Sequence, residues 1–287
     1  MLTKQVAVVT DSIACIPADL REHYQIGIIP LNFYANGNIY RDGIDVTPSQ
    51  AYQLFLKDPD TFKTSGASIG SCLEAFRSPA KQGKDILSVI LSSKLSAIYS
   101  NAEVAGKQVQ EEFPGVSVVV LDSMTAAAAE GFVALAAARA AKNGSNLTDV
   151  MSIAKQVRDK VSIVAYMDTV RYVYRSGRIP RIASVAGSML KIKPIFTFSA
   201  GVPRFLGAVR SKKIGIERLI EEMHEKVGNR LVHVSVMHVY AEDEAVNLKK
   251  RVSNEFNCAE LWMTEFSPLM GYACGTGTLG LAFYPEG

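Results

Sequence analysis

The segment DILSVILSSKLSAIYSNAEVAGKQVQEEFPGVSVVVLDS, Asp85–Ser123, decides the fold class. It opens on an apolar run, Asp85–Leu91, and closes on another, Val116–Leu121. A helical stretch, Ser96–Phe113, lies between them. Short runs that are apolar at successive positions suit parallel strands covered on both faces. A strand, a helix and a second strand in that order make a parallel crossover unit. Working outward, Val6–Thr10 is a third run of the same kind. Ile28–Tyr34 and Ile39–Tyr40 flank Asn36-Gly37, a hairpin turn signal. Ala126–Lys142 is an alanine-rich helix that stops at Asn143-Gly144, and Leu147–Lys160 is the next helix.

Beyond residue 160 the pattern changes. Ser162–Met167 reads as a strand. Leu231–Tyr240 alternates, with Val232, Val234 and Val236 set against His233 and Ser235. Glu242–Phe256 is helical, and Glu260–Phe266 and Thr278–Tyr284 are strands. Pro180, Pro194 and Pro203 predict short elements between them. The expected architecture is α/β with two domains. Residues 1–160 form a parallel-sheet α/β domain, residues 161–287 form an α+β domain with a mixed sheet, and a ligand cleft lies between them.

The chain has 287 residues, 48% of them hydrophobic and 21% charged, enough for two ordinary cores. No run reaches the roughly 20 apolar residues that span a bilayer. The N-terminal MLTKQVAVVTDS meets Asp11 too soon for a signal peptide, so a cytoplasmic location is expected. On that footing the sequons at Asn143 and Asn146 are silent. Cys15, Cys72, Cys258 and Cys274 form no CxxC pair and read as small core residues. His233 and His238 share a strand at odd spacing and should face opposite ways. No metal site or cofactor is expected.

Charge is uneven. Thr169–Ile216 holds ten basic residues and no acidic one: Arg171, Arg175, Arg178, Arg181, Lys191, Lys193, Arg204, Arg210, Lys212 and Lys213. The formal net charge is +3, so the rest of the chain carries −7. A one-signed stretch suits an anionic partner or a solvated face balanced from elsewhere in the fold. Tyr172, Tyr174, Phe196, Phe198 and Phe205 lie nearby. The spacing around Leu190–Phe198 fits a core better than a nucleic-acid stacking groove.

Ligands in open parallel sheets bind beyond the carboxyl ends of the strands. Thr10-Asp11-Ser12, Ser92-Ser93 and Asp122-Ser123 stand there, and Thr64-Ser65 and Ser68 form another hydroxyl cluster. Such groups suit a carboxylate or phosphate, and they equally suit helix capping. Gly275–Gly280 fits GxGxxG but stands too near the C-terminus to open a dinucleotide fold, so a tight turn is expected. Gly66–Gly70 fits the GxSxG of serine hydrolases around Ser68, with His238 as the base. The residues ahead of it make a poor buried strand.

Over nearly its whole length the chain resembles the DegV family. The matching stretches are Val9-Thr-Asp-Ser12, Ile29-Pro-Leu31, Tyr40-Arg-Asp-Gly-Ile-Asp-Val-Thr-Pro48, Thr64-Ser65, Leu91-Ser-Ser-Lys-Leu-Ser-Ala-Ile-Tyr99 and Asp122-Ser123. They continue through Ser176-Gly-Arg-Ile179, Met189-Leu-Lys-Ile-Lys-Pro-Ile195, Val209-Arg-Ser-Lys-Lys213 and Phe266-Ser-Pro268. The resemblance implies a long-chain fatty acid between the domains, with the acyl tail in the C-terminal one. Its carboxylate would meet Thr64 and Ser93, with Ser65 and Ser96 beside them and Ala273, Thr276 and Gly277 in the glycine-rich end. The chain would be the carrier half of a fatty acid kinase, not itself an enzyme. A separate ATP-binding subunit would phosphorylate the lipid. Arg178 and Arg210 would meet the phosphate, that subunit or, transiently, a membrane surface. No nucleic-acid partner is implied. The alternative is a serine hydrolase or phosphotransferase acting on a small or lipid substrate.

The sequence departs from the family pattern at four places. Ala273 stands where histidine is usual in the glycine-rich end. Thr64-Ser-Gly-Ala-Ser68 lacks the usual proline. Lys94 replaces a glycine after Ser92-Ser93. Ser176 replaces the first glycine of a Gly-Gly-Arg run.

Overall fold

The computed structural model describes residues 4–169, 172, 176–178 and 192–287. Strands β1 (Val6–Asp11), β2 (Gly27–Ile29), β6 (Asp85–Ile90) and β7 (Val118–Asp122) form a parallel sheet in the order β2-β1-β6-β7. Alternate residues point to opposite faces. Val9, Ile86 and Ile90 pack under helices α3 (Ile69–Lys81) and α4 (Ile98–Glu112), while Val8, Leu87 and Val89 pack under α5 (Ala127–Lys142) and α6 (Leu147–Lys160). Both faces are covered, which is why these strands read as unbroken apolar runs.

A small antiparallel sheet of β3 (Asn32–Ala35), β4 (Asn38–Arg41) and β5 (Lys63–Ser65) stands beside the parallel one. Helices α1 (Ala18–His23) and α2 (Pro48–Lys57) connect these elements. Thr47 and Gln50 cap α2 reciprocally, in a capping box with Pro48 at its first turn.

The second sheet is mixed. It contains β8 (Ser162–Tyr166), β9 (Lys193–Ser199), β10 (Val202–Val209), β11 (Val232–His238), β12 (Cys258–Glu265) and β13 (Leu279–Pro285), in the order β10-β9-β8-β13-β11-β12. The β11–β12 pair is parallel and the other pairs are antiparallel. Helices α7 (Lys212–Val227) and α8 (Glu242–Glu255) cover one face through Leu219, Met223, Leu248 and Val252. The helix α9 (Pro268–Cys274) leads into β13.

The other face of this sheet meets α5. Ile163, Met237, Ala282 and Tyr284 share one hydrophobic cluster with α5 and with Val8 and Leu87 of the parallel sheet. A helix between two sheets has no solvent stripe, and α5 is buried nearly all round. Its alanines let both sheets approach. At its end Arg139 grips both carboxylate oxygens of Glu260, at 3.0 and 2.6 Å, and His233 Nδ1 lies 2.7 Å from the same carboxylate. Burial alone would raise the Glu260 pKa, but these partners hold it near 2.

Several expectations change. Ile28–Tyr34 is two strands, because Pro30 has no N–H and the chain passes there from the parallel sheet to the small one. The basic stretch holds long elements rather than short ones: β9 has seven residues and β10 has eight. Pro203 is tolerated because β10 is an edge strand. A three-residue strand, β5, carries Thr64-Ser65. His233 and His238 do face opposite ways: His233 stacks on Tyr284 at 4.4 Å, and His238 Nδ1 accepts the Ala241 amide. The four cysteines are free thiols. Arg171, Tyr174, Arg175, Ile179, Pro180, Arg181, Met189, Leu190 and Lys191 lie outside the described residues.

Candidate functional site

Beyond the carboxyl ends of β1, β2 and β6, the two halves of the chain enclose a cavity of about 120 Å³. Ile13, Leu31, Leu91 and Leu95 contribute its wall from the first half. The odd-numbered face of β8, Ile163 and Ala165 with Met167 just beyond, contributes from the second half. Phe196 and Phe198 of β9 and Pro203 of β10 form another side. Phe266, Leu269, Met270, Ala273 and Cys274 bring in the loop before α9 and α9 itself. The apolar wall therefore comes from both halves.

Polar groups are few. Thr64 and Ser65 arrive on β5, and Ser96 precedes α4. Ser96 Oγ faces Gly66, where a Cβ would stand 3.3 Å away, so the two segments converge. Asn101 fastens the same loop by donating to the Ala67 carbonyl at 2.9 Å. Ser176 and Arg178 complete the polar set. The Arg178 guanidinium donates to the carbonyls of Ser176 and Leu95. Among the described residues the lining holds four hydroxyls, one guanidinium and no carboxylate. That balance fits an anionic head on an apolar body.

Behind the wall lies a buried acidic network. Asp11 accepts the amides of Ile13 (2.9 Å) and Leu91 (3.0 Å), two residues whose own side chains form the wall. Thr10 donates to Glu130 at 3.1 Å, and Ser267 donates to Asp42 at 2.6 Å. Burial raises the Asp11 and Asp42 carboxyls to about 6 and pushes Glu130 well above the usual range. Burial also raises the Cys274 thiol to about 12, so at neutral pH it is an inert wall residue.

The residues singled out from sequence divide clearly. Thr64, Ser65, Ser96, Ala273 and Arg178 line the cavity. Ser93, Thr276, Gly277 and Arg210 are not in its lining. Ser93 is exposed, and its amide donates to Asp122. Thr276 and Gly277 belong to the turn between α9 and β13. Gly275 and Gly277 have φ of 82° and 83°, and a Cβ on either would press on Tyr172 or Asp168. Arg210 is exposed at the end of β10. Sequence reasoning missed Ser176, Leu95, Met270 and the phenylalanines of β9 as site residues. For the phenylalanines the signal was the period-two pattern of β9, which looks the same for a core and for a cavity wall.

The strand-end polar groups mostly serve the backbone. Ser12 Oγ accepts the Leu31 amide, Ser123 Oγ donates to Thr125, and Asp122 accepts the Met124 amide. Ser68 caps α3 by accepting the Ser71 amide, with no bond to His238, whose pKa burial lowers. β5 ahead of it belongs to the small sheet, not to a buried parallel strand. The hydrolase geometry is absent at Ser68. No group of three His, Cys, Asp or Glu among the described residues is placed to hold a metal ion.

Fold and cavity define a two-domain α/β protein with an apolar chamber between its domains and an anion-compatible polar end. A family model described as an uncharacterised protein family, DegV, matches residues 5–286. The chain belongs to the DegV family. It is 31% identical over 282 residues to a DegV domain-containing protein of Clostridium perfringens, covering 98% of this chain and 99% of the relative. It is 30% identical to Protein DegV of Bacillus subtilis, covering 97% and 98%. Its fold matches the crystal structure of DegV from Bacillus subtilis, described as a fatty acid binding protein, with a TM-score of 0.89, 29% identity and coverage of 99% and 100%. A DegV family protein from Thermus thermophilus, described by its fatty acid binding, matches with a TM-score of 0.88, 26% identity and coverage of 98% and 100%.

Proposed function

We propose that this chain binds one long-chain fatty acid in the cavity and carries it to a separate ATP-binding fatty acid kinase subunit. The observation that carries the reading is the lining: apolar side chains from both halves, ending in Thr64, Ser65, Ser96, Ser176 and Arg178 with no acidic group. Each buried methylene contributes about 0.8 kcal/mol, so a C16 or C18 tail supplies the affinity. An unpaired buried carboxylate would offset much of that gain. The hydroxyls donate to it, and Arg178 supplies the opposite charge. The departure at Ala273 leaves these groups to hold the head alone. The relatives described as fatty acid binding support the reading.

In this role the chain supplies no catalytic group. It holds the lipid, shields the tail from water and leaves one carboxylate oxygen for phosphorylation by the partner. Arg178 stabilises the product acyl phosphate, and Arg210 lies on the surface offered to the partner. The carrier acts in the cytoplasm with transient contact to a membrane surface. No described helix is long and apolar enough to cross a membrane.

A titration with palmitate and with its methyl ester tests the head-group assignment. Palmitate should bind the Thr64→Ala, Ser96→Ala double variant at least about tenfold more weakly than the wild type, because bonds to a charged group are worth about 1.5–3 kcal/mol each. The ester, which has no charge to satisfy, should lose much less. Equal losses for both ligands would remove these hydroxyls from the head-group site.

A further inference from the structure

The hairpin formed by β9 and β10 is one wall of the cavity, joined to the sheet through β8, with a fastening at its tip. Phe196, Phe198 and Pro203 face the cavity from its two strands. β10 is the edge of the six-stranded sheet, so no further strand holds the hairpin from outside. Its tip, Ala200-Gly201, crosses to the first half of the chain and rests on the loop after β6. There Ser92 Oγ donates to the Gly201 carbonyl at 2.7 Å, and Lys94 Nζ donates to the Ala200 carbonyl at 2.8 Å.

The approach is close by construction. Ala200 and Gly201 have φ of 50° and 80°, which turns both carbonyls toward the loop. A Cβ on Gly201 would stand 2.7 Å from Ser92 Oγ. The same loop continues into Leu95 and Ser96, which line the cavity, and the Leu95 carbonyl takes the Arg178 guanidinium. One short segment thus joins the hairpin tip, the polar end and the apolar wall.

We propose that Lys94, together with Ser92, forms a clasp that holds the β9–β10 hairpin closed over the cavity and sets how fast a bound lipid exchanges. The inference rests on the fatty-acid reading given above. Lys94 is a positioning residue: it lies outside the cavity lining and acts through the hairpin backbone. Its ammonium–carbonyl bond is charge-assisted but exposed, which places it at the weak end of such bonds. The bond exists in the closed state with or without lipid and is broken in the open state. Weakening it therefore raises the open fraction of both free and loaded protein. Association and dissociation accelerate together, and the equilibrium constant stays fixed.

Stopped-flow fluorescence with cis-parinaric acid measures both rates for the wild type, Lys94→Ala and Lys94→Arg, alongside thermal melts. Lys94→Ala should raise both rate constants about five- to tenfold, with Kd within about twofold of wild type and an unchanged melt. Lys94→Arg, which restores a charged donor, should return both rates toward wild type. Wild-type rates in Lys94→Ala with binding intact would overturn the clasp. So would a weaker Kd at an unchanged association rate, or a lowered melting temperature with no rate effect. If the wild type takes up no parinaric acid, the fatty-acid reading itself fails and the clasp falls with it.

Discussion

Two adjacent serines show what a single residue's setting decides. Ser92 is fully buried and donates to the hairpin tip, whereas Ser93 is exposed and offers only its amide to Asp122. Sequence makes both hydroxyls candidates for the head group, because a strand end does not show which way each side chain turns. Thr64 and Ser96 were legible as hydroxyls near a site, and only the folded chain brings their segments together across Gly66. Asp42 carries a testable consequence of its burial. Its carboxyl is raised from 3.8 to about 6, chiefly by desolvation, so the folded chain holds its proton more tightly than the unfolded chain does. That contribution to stability is complete below about pH 4 and is lost as pH rises through 6. Asp42→Asn keeps an acceptor for Ser267 and removes the titration. Urea unfolding should therefore show the variant gaining on wild type by on the order of 1–3 kcal/mol between pH 4 and pH 7. A difference that does not vary with pH would contradict the assignment.

At the level of elements, apolar runs bounded by polar residues were easy to place. β6, β7 and β13 lie within a residue or two of where the pattern puts them, as do α5 and α6. Proline was the less faithful guide. Pro30 does divide a strand, but Pro194 and Pro203 sit inside long strands: Pro203 lies on the edge strand β10, where fewer backbone donors are needed, and Pro194 is the second residue of β9, next to the end of its pairing with β8 at Ile195. Helices α1, α2, α3, α7 and α9 fall outside the helices expected from the pattern, although Thr47-Pro48-Ser49-Gln50 spells a capping box. The basic stretch also resolves by element. Lys193 pairs with Asp168 and Lys212 with Glu244, while Arg204 and Arg210 are exposed on or just after β10. With Arg178 and Lys213, the latter two are the exposed charges among the described residues of this stretch. In the Arg204→Glu, Arg210→Glu variant, turnover by an added fatty acid kinase ATP-binding subunit should fall severalfold at low salt while lipid uptake is preserved. Turnover equal to wild type would take β10 out of the partner surface.

For the molecule as a whole, two domains joined by one core make a chamber that neither could make alone. The sequence announced two architectures by the change from apolar runs to alternation, and the change of sheet falls between α6 and β8. It did not announce that α5 packs into both sheets, since an alanine-rich helix carries no directional pattern. The cavity follows from that arrangement: strand ends of one sheet face the strand faces of the other, and their apolar side chains meet without filling the space. The most direct test of lipid carriage is native mass spectrometry of the intact purified chain, followed by denaturing extraction and identification of what is released. A near-stoichiometric mass excess that resolves into a C14–C18 fatty acid is the expected result. A bare polypeptide mass that stays bare after incubation with palmitate and oleate would contradict it.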